Sequence, residues 1–222
     1  MNKKLKIYHV QGQQGYSNWI PNREVVQNIE DADLVIFEGG EDVSPSLYGE
    51  NKHPTTFNNS YRDNFEVKIF KTAKELGIPC LGICRGNQFL TVMSGGILVQ
   101  DQQNPSYIHP IETYDGKVLE ITSTHHQASF PFRMKQEDYK VLGWTKGLSK
   151  YHKGGDDEEL NPPVECEIMY FPKTDCLGVQ GHPESLDYNH ETNIYLRELL
   201  SKFLNKELNK ELQNSNKELI KC

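Results

Sequence analysis

No stretch of this sequence is apolar for long enough to cross a membrane. The basic opening, MNKKLKIYHV, gives way to too few apolar residues for a secretion signal, so a cytoplasmic location is the expectation. Positive charge is also in short supply. Lys and Arg number 24 against 31 Asp and Glu, a formal net charge of −7. A nucleic-acid backbone is bound by clustered positive charge, so neither nucleic acid nor membrane is an expected partner. Cysteine occurs only at positions 80, 84, 166, 176 and 222, an odd set without zinc-finger spacing. In a reducing compartment these are free thiols. The turn QGQQG (11–15) lacks the Lys and Ser/Thr of a phosphate-binding loop and the third glycine of a dinucleotide fingerprint. It reads as a plain connection out of a strand.

What is present is a soluble globular composition, 36% hydrophobic and 25% charged, over 222 residues. That length suits one α/β domain with a real core. LKIYHV (5–10), ADLVIFEGG (32–40) and IPCLGIC (78–84) read as buried strands. REVVQNIE (23–30) reads as a short helix. In 62–77, Phe65, Ile69, Phe70, Ala73 and Leu76 fall at helical spacing, and Gly77 is a fitting stop. GNQFLTVMSGG (86–96) reads as another helix. Strands and helices alternating in this way imply a parallel sheet covered on its faces. The second half offers strands at 117–123, 139–145, 164–171 and 176–181, with a solvated acidic excursion at 153–163. A last helix carries Ile194, Leu196, Leu199, Leu200 and Phe203. The repeated NKEL beyond it puts Leu204, Leu208 and Leu212 on one stripe. Too short for sustained heptads, that stripe reads as a solvated or frayed helix. The expected division is a domain over 1–204 and a charged tail over 205–222.

The chemically distinctive stretch is PCLGICRGNQFL (79–90). Gly82-Ile-Cys84-Arg-Gly86 has the form of a nucleophile elbow, in which small residues let a strand turn sharply into a helix. Such a turn displays the Cys84 sulfur at the carboxyl edge of the sheet, where open α/β sheets bind ligands. It also sets the sulfur at a helix N-terminus, which favours negative charge. Cys80, in mid-strand, reads as structural. A nucleophile needs a base and a group to orient it. GVQGHPE (178–184) supplies His182 and Glu184 at extended spacing, with Pro183 biasing His182 toward extended backbone.

Cysteine elbow and later HPE together resemble the class I glutamine amidotransferases. FEGGEDVSPSLYGE (37–50), GGILVQD (95–101) and ITSTHHQ (121–127) resemble the γ-glutamyl hydrolase branch, the C26-type peptidases. The resemblance covers roughly 34–184. It implies an α/β three-layer sandwich, flavodoxin-like, with a central mostly parallel sheet. It implies thiol-dependent cleavage of a γ-glutamyl amide through a glutamyl-thioester, without metal or organic cofactor. In that scheme Cys84 attacks, His182 is base and then acid, and Glu184 orients His182. Backbone N–H groups of Arg85 and Gly40, with Gly39 as the alternative in the same loop, form the oxyanion hole. Gln88, His125, His126 and Gln127 line the substrate pocket. The family usually carries a bulky aromatic where this chain has Gly181, so a wider pocket beside His182 is expected. The small-molecule leaving group is either ammonia from glutamine, which calls for a separate synthetase partner, or a larger amine.

Two rival classes fit less well. His125, His126 and His182 could in principle hold zinc, but adjacent residues of a strand point to opposite faces and no HExxH spacing exists. A non-catalytic binding subunit would usually have lost Cys84, His182 or Glu184. Brief, limiting alkylation near neutral pH, followed by mass mapping, is expected to label Cys84 first. Faster labelling of Cys80 or Cys176 would overturn the assignment.

Overall fold

The computed structural model describes residues 3–103 and 107–214. Thirteen strands occur among them. They are β1 Leu5–His9, β2 Arg23–Val26, β3 Leu34–Phe37, β4 Cys80–Ile83, β5 Ile97–Val99, β6 Asp101–Gln102, β7 Ile108–Thr113, β8 Val118–Thr122, β9 Ala128–Phe130, β10 Lys140–Thr145, β11 His152–Lys153, β12 Glu165–Phe171 and β13 Cys176–Val179. The helices are α1 Ser60–Glu75, α2 Arg85–Met93, α3 Glu191–Leu204 and α4 Glu207–Asn214. No helix among the described residues is long and apolar enough to cross a membrane.

Nine strands form one sheet in the order β2-β1-β3-β4-β13-β12-β10-β7-β8. The run from β2 to β13 is parallel, as buried strands joined by crossovers require, and the run from β13 to β8 is antiparallel. Helices cover both faces. Phe70 and Ala73 of α1 and Phe89, Leu90 and Val92 of α2 pack one face, against Val35, Phe37 and Met169. Leu196, Leu199, Leu200 and Phe203 of α3 pack the other, against Ile7, Ile36, Leu81 and Leu177. The expected three-layer sandwich is therefore observed. The β4 and β13 strands are neighbours in register, so their carboxyl ends emerge side by side.

Several local expectations are corrected. REVV is a strand, not a helix: its β-branched valines pair in parallel with β1, register Ile7 to Val25. Helix α1 forms where expected, with the Asn59 side chain accepting from the Tyr61 and Arg62 amides and Gly77 closing it at φ 68°. Its inward face is shifted, however. Phe65 and Leu76 are exposed while Asp63 and Glu66 are buried, because those carboxylates meet Arg85. The acidic stretch 153–163 is not a free excursion either. Lys153 pairs with β6, and Leu160 is buried with Val99, Ala128 and Phe130.

The tail differs most. Leu208 and Leu212 of α4 are buried in the same core as α3, and Glu211 accepts from the Tyr114 hydroxyl and pairs with Lys202. The stripe is thus a packing face, and the part of the NKEL repeat beyond residue 214, with Cys222, lies outside the described residues. Leu208→Ala or Leu212→Ala is expected to cost about 2 kcal/mol, the low end for a buried leucine, because a peripheral helix can relax. Urea unfolding tests this. An unchanged midpoint in both variants would return α4 to the solvated class.

Candidate active site

The strand β4 ends in the elbow. Cys84 is held at φ 54°, ψ −110°, a positive φ that a residue with a side chain adopts only under constraint. The constraint is visible on both sides. A Cβ at Gly82 would intrude on the Gly86 carbonyl, and one at Gly86 would intrude on the Phe37 carbonyl. The Cys84 amide donates to the Val179 carbonyl at 2.8 Å, tying the elbow to β13. The Cys84 carbonyl accepts from the Gln88 amide at 3.3 Å, opening α2. The cysteine is 7% exposed.

Three residues past β13, His182 is placed by its amide, which donates to Thr122 Oγ1 at 2.8 Å. Its Nδ1 lies 2.7 Å from Glu184 Oε1. That leaves Nε2 free of the carboxylate, and the Cys84 sulfur acts on the ring electrostatically. Burial alone would lower the His182 pKa. The interactions with Cys84 and Glu184, with their negative charge, outweigh it and carry it up to about 10. The HPE turn is pinned from below by Asn193 Nδ2, which donates to the Pro183 and Asp187 carbonyls at 3.0 Å each. Cys84, His182 and Glu184, the three residues expected to be catalytic, are thus brought together past the carboxyl ends of β4 and β13.

The EGG loop is fixed by charge. Arg62 donates to the Glu38 carbonyl at 3.1 Å and the Gly39 carbonyl at 2.8 Å. Arg85 donates to the Glu41 carbonyl at 2.9 Å and pairs with Asp63 and Glu66. The Glu38 carboxylate accepts from the Gln11 and Gln13 amides, so the QGQQG turn is closed by an internal carboxylate. Of the two loop glycines, Gly39 faces His182. A Cβ there would lie 3.3 Å from His182 Cε1 and 2.5 Å from the Tyr16 hydroxyl. Gly40, at φ 142°, abuts the Arg62 guanidinium instead. Arg85 opens α2, so its amide belongs to the first turn, whose N–H groups have no partner within the helix.

The residues expected around the substrate divide. Gln88 and His125 both donate to the Gln127 carbonyl at 2.8 Å, and Gln127 Nε2 donates to Thr56 Oγ1 at 3.1 Å. Burial pushes His125 down to about 4, so it is neutral, with Nδ1 donating and a buried Nε2 that has no partner. His126 turns away toward Asp42, 3.2 Å, and Asp101, 3.6 Å. Its hydrogen bond to Asp42 raises its pKa despite burial. Gln88, His125 and Gln127 are thus linked, and His126 is not one of them. No group of three or more His, Cys, Asp or Glu among the described residues is arranged to hold a metal ion.

Tyr16 was not legible in the sequence. It comes from the short turn Gln14–Ser17, its ring centroid 6.1 Å from that of His182. Burial, then the charges of Glu184, Cys84 and Glu38, pushes its phenol up to about 12. The expectation of a wider pocket at Gly181 is also corrected. A Cβ there would collide with Ile121 and lie 2.7 Å from the Thr122 carbonyl, so β8 already fills that space. With Cys84→Ala, the His182 ring loses one of the two partners that outweigh burial. Its titration midpoint, followed by NMR, is expected to fall from about 10. An unchanged midpoint would mean that Glu184 alone sets it.

A sequence profile of the family described as Peptidase C26 matches residues 6–130. The chain is 42% identical over 191 residues to protein NtpR of Enterococcus hirae, covering 74% of this chain and 72% of that protein. It is also 42% identical over 167 residues to the glutamine amidotransferase-like protein YvdE of Lactococcus lactis, covering 68% of this chain and 66% of that one. A solved structure from Thermoplasma acidophilum, described as a candidate subunit of GMP synthase, superposes with a TM-score of 0.60 at 15% identity, over 97% of this chain and 100% of that one. At that identity the likeness is one of fold. The profile match spans more than half of the chain, and on that ground it belongs to the Peptidase C26 family of class I glutamine amidotransferase-like proteins.

Proposed function

We propose that the protein is a cysteine hydrolase of γ-glutamyl amides. What supports this is the grouping of Cys84 at its elbow with His182, which is in turn bonded to Glu184. Cys84 Sγ attacks the γ-carbonyl carbon with its proton already held by His182, whose raised pKa keeps the ring protonated near neutral pH. The oxyanion is met by backbone N–H groups of Arg85 and of the Gly39-Gly40 loop, Gly39 being the nearer of the two to His182. His182 then gives its proton to the departing amine, and the C–N bond breaks to leave a glutamyl-thioester. Water, deprotonated by His182, attacks the thioester and releases glutamate, restoring the thiol. Glu184 holds the ring and offsets its positive charge. Gln88, His125 and Gln127 contact the glutamyl end. No metal or organic cofactor enters this scheme.

A second reading has support of its own. YvdE bears a glutamine amidotransferase-like name, which favours a glutaminase that hands ammonia to a separate synthetase. The C26 match favours the free-standing hydrolase, and with the space at Gly181 filled that match is its main support. Glutamate release over glutamine and a panel of larger γ-glutamyl amides distinguishes them. The isolated chain is expected to cleave at least one larger amide. Inertness on all of them, with glutamine hydrolysis only when a synthetase is added, would favour the glutaminase. In the same assay Cys84→Ala and His182→Ala should each lose about 10⁴-fold or more in kcat, and Glu184→Gln less. Wild-type turnover by Glu184→Gln would reduce Glu184 to a structural role.

A further inference from the structure

Two cysteines that the proposed chemistry does not use stand side by side. Cys80 opens β4 and Cys176 opens β13, and they are direct partners in the parallel register. Both face the layer that holds α1 and α2, and both are fully buried. Adjacent strands lie about 4.8 Å apart. That falls within the about 4.4–6.8 Å between Cα atoms that a disulfide spans. A cation, Lys74, is placed beside the pair. Lys74 Nζ lies 3.9 Å from Cys176 Sγ and 2.5 Å from the Thr174 carbonyl, to which Cys176 Sγ also points at 3.1 Å.

We propose that Cys80 and Cys176 are a dithiol site for oxidation by hydrogen peroxide, closing to an internal disulfide between the strands that carry the nucleophile and its base. Cys176 reacts first. Burial raises its pKa, but its interaction with Cys80 and the Lys74 charge outweigh burial and lower it, whereas burial and Cys176 raise that of Cys80 against the pull of Lys74. The Cys176 sulfur attacks one peroxide oxygen, the O–O bond breaks, and a sulfenic acid and water result. The Cys80 sulfur then attacks Cys176 Sγ. The S–O bond breaks, the S–S bond forms, and the hydroxyl leaves as water with the Cys80 proton. Two thiols lose two electrons and two protons, and one peroxide becomes two waters. Peroxide is close to water in size, so a local opening near the surface end of Lys74 admits it.

The bond would lie at the amino ends of β4 and β13, away from Cys84 and His182. Oxidation is therefore expected to leave the site geometry in place and to restrain the unfolded chain, since it closes a loop on the order of a hundred residues. The test uses full-length Cys84→Ala, so that Cys80 is the only cysteine in its tryptic peptide. The folded protein is treated with peroxide, then denatured, alkylated and digested. The expected product is a Cys80–Cys176 cross-linked peptide pair, lighter by two hydrogens. The urea midpoint should move upward and return on reduction. Lys74→Met should slow the closure severalfold, and Cys80→Ala should instead leave a sulfenic acid on Cys176 that dimedone traps. Complete alkylation of both cysteines after peroxide treatment would overturn the proposal. So would a cross-link that forms only in urea, or oxidation of Cys176 that never proceeds to Cys80.

Discussion

The structure depends on how the Arg85 guanidinium is buried. It sits 1% exposed at the start of α2, one residue past Cys84, paired with Asp63 and Glu66 of α1. An unpaired charge there would be prohibitive, and breaking one partner of such a group typically costs about 3–5 kcal/mol. Because Glu66 also takes Arg62 at 2.8 Å, and Arg62 in turn holds the Glu38 and Gly39 carbonyls, one network fixes α1, α2 and the EGG loop together. The position of Gly39 beside His182 is a consequence of ion pairing on the far side of the loop.

That network also explains what the sequence could and could not show. The elbow and the HPE turn were readable because their physics is local: glycines at a sharp bend, a proline after an extended histidine. The α1 stripe was misread because Asp63 and Glu66 become interior only when Arg85 arrives from another element. REVV looked helical in isolation, and pairing with β1 makes it a strand. Leu208 and Leu212 looked solvated because the surface they cover is assembled from α3 and the sheet. Tyr16 carried no signal at all, since it reaches His182 only once the Glu38 carboxylate has folded the QGQQG turn onto the EGG loop.

Neighbouring histidines make the same point at finer scale. His125 and His126 are adjacent in sequence and opposite in electrostatics. The first is neutral, buried and joined to Gln127. The second is drawn toward its charged form by Asp42 and Asp101. A bend at His126 separates them, and the surroundings then set their protonation in opposite directions.

The register between β4 and β13 has one more consequence. Cys84 follows one strand and His182 the other, and the Cys84 amide is itself bonded to Val179. The spacing of Cys84 and His182 is therefore a sheet dimension rather than a loop conformation. A slip of a single residue would displace one against the other by about 3.3 Å and turn side chains to the wrong face. The sheet acts as a ruler graduated in whole residues: the pair is either in reach or a full step out of it, with no intermediate setting for a hinge to tune.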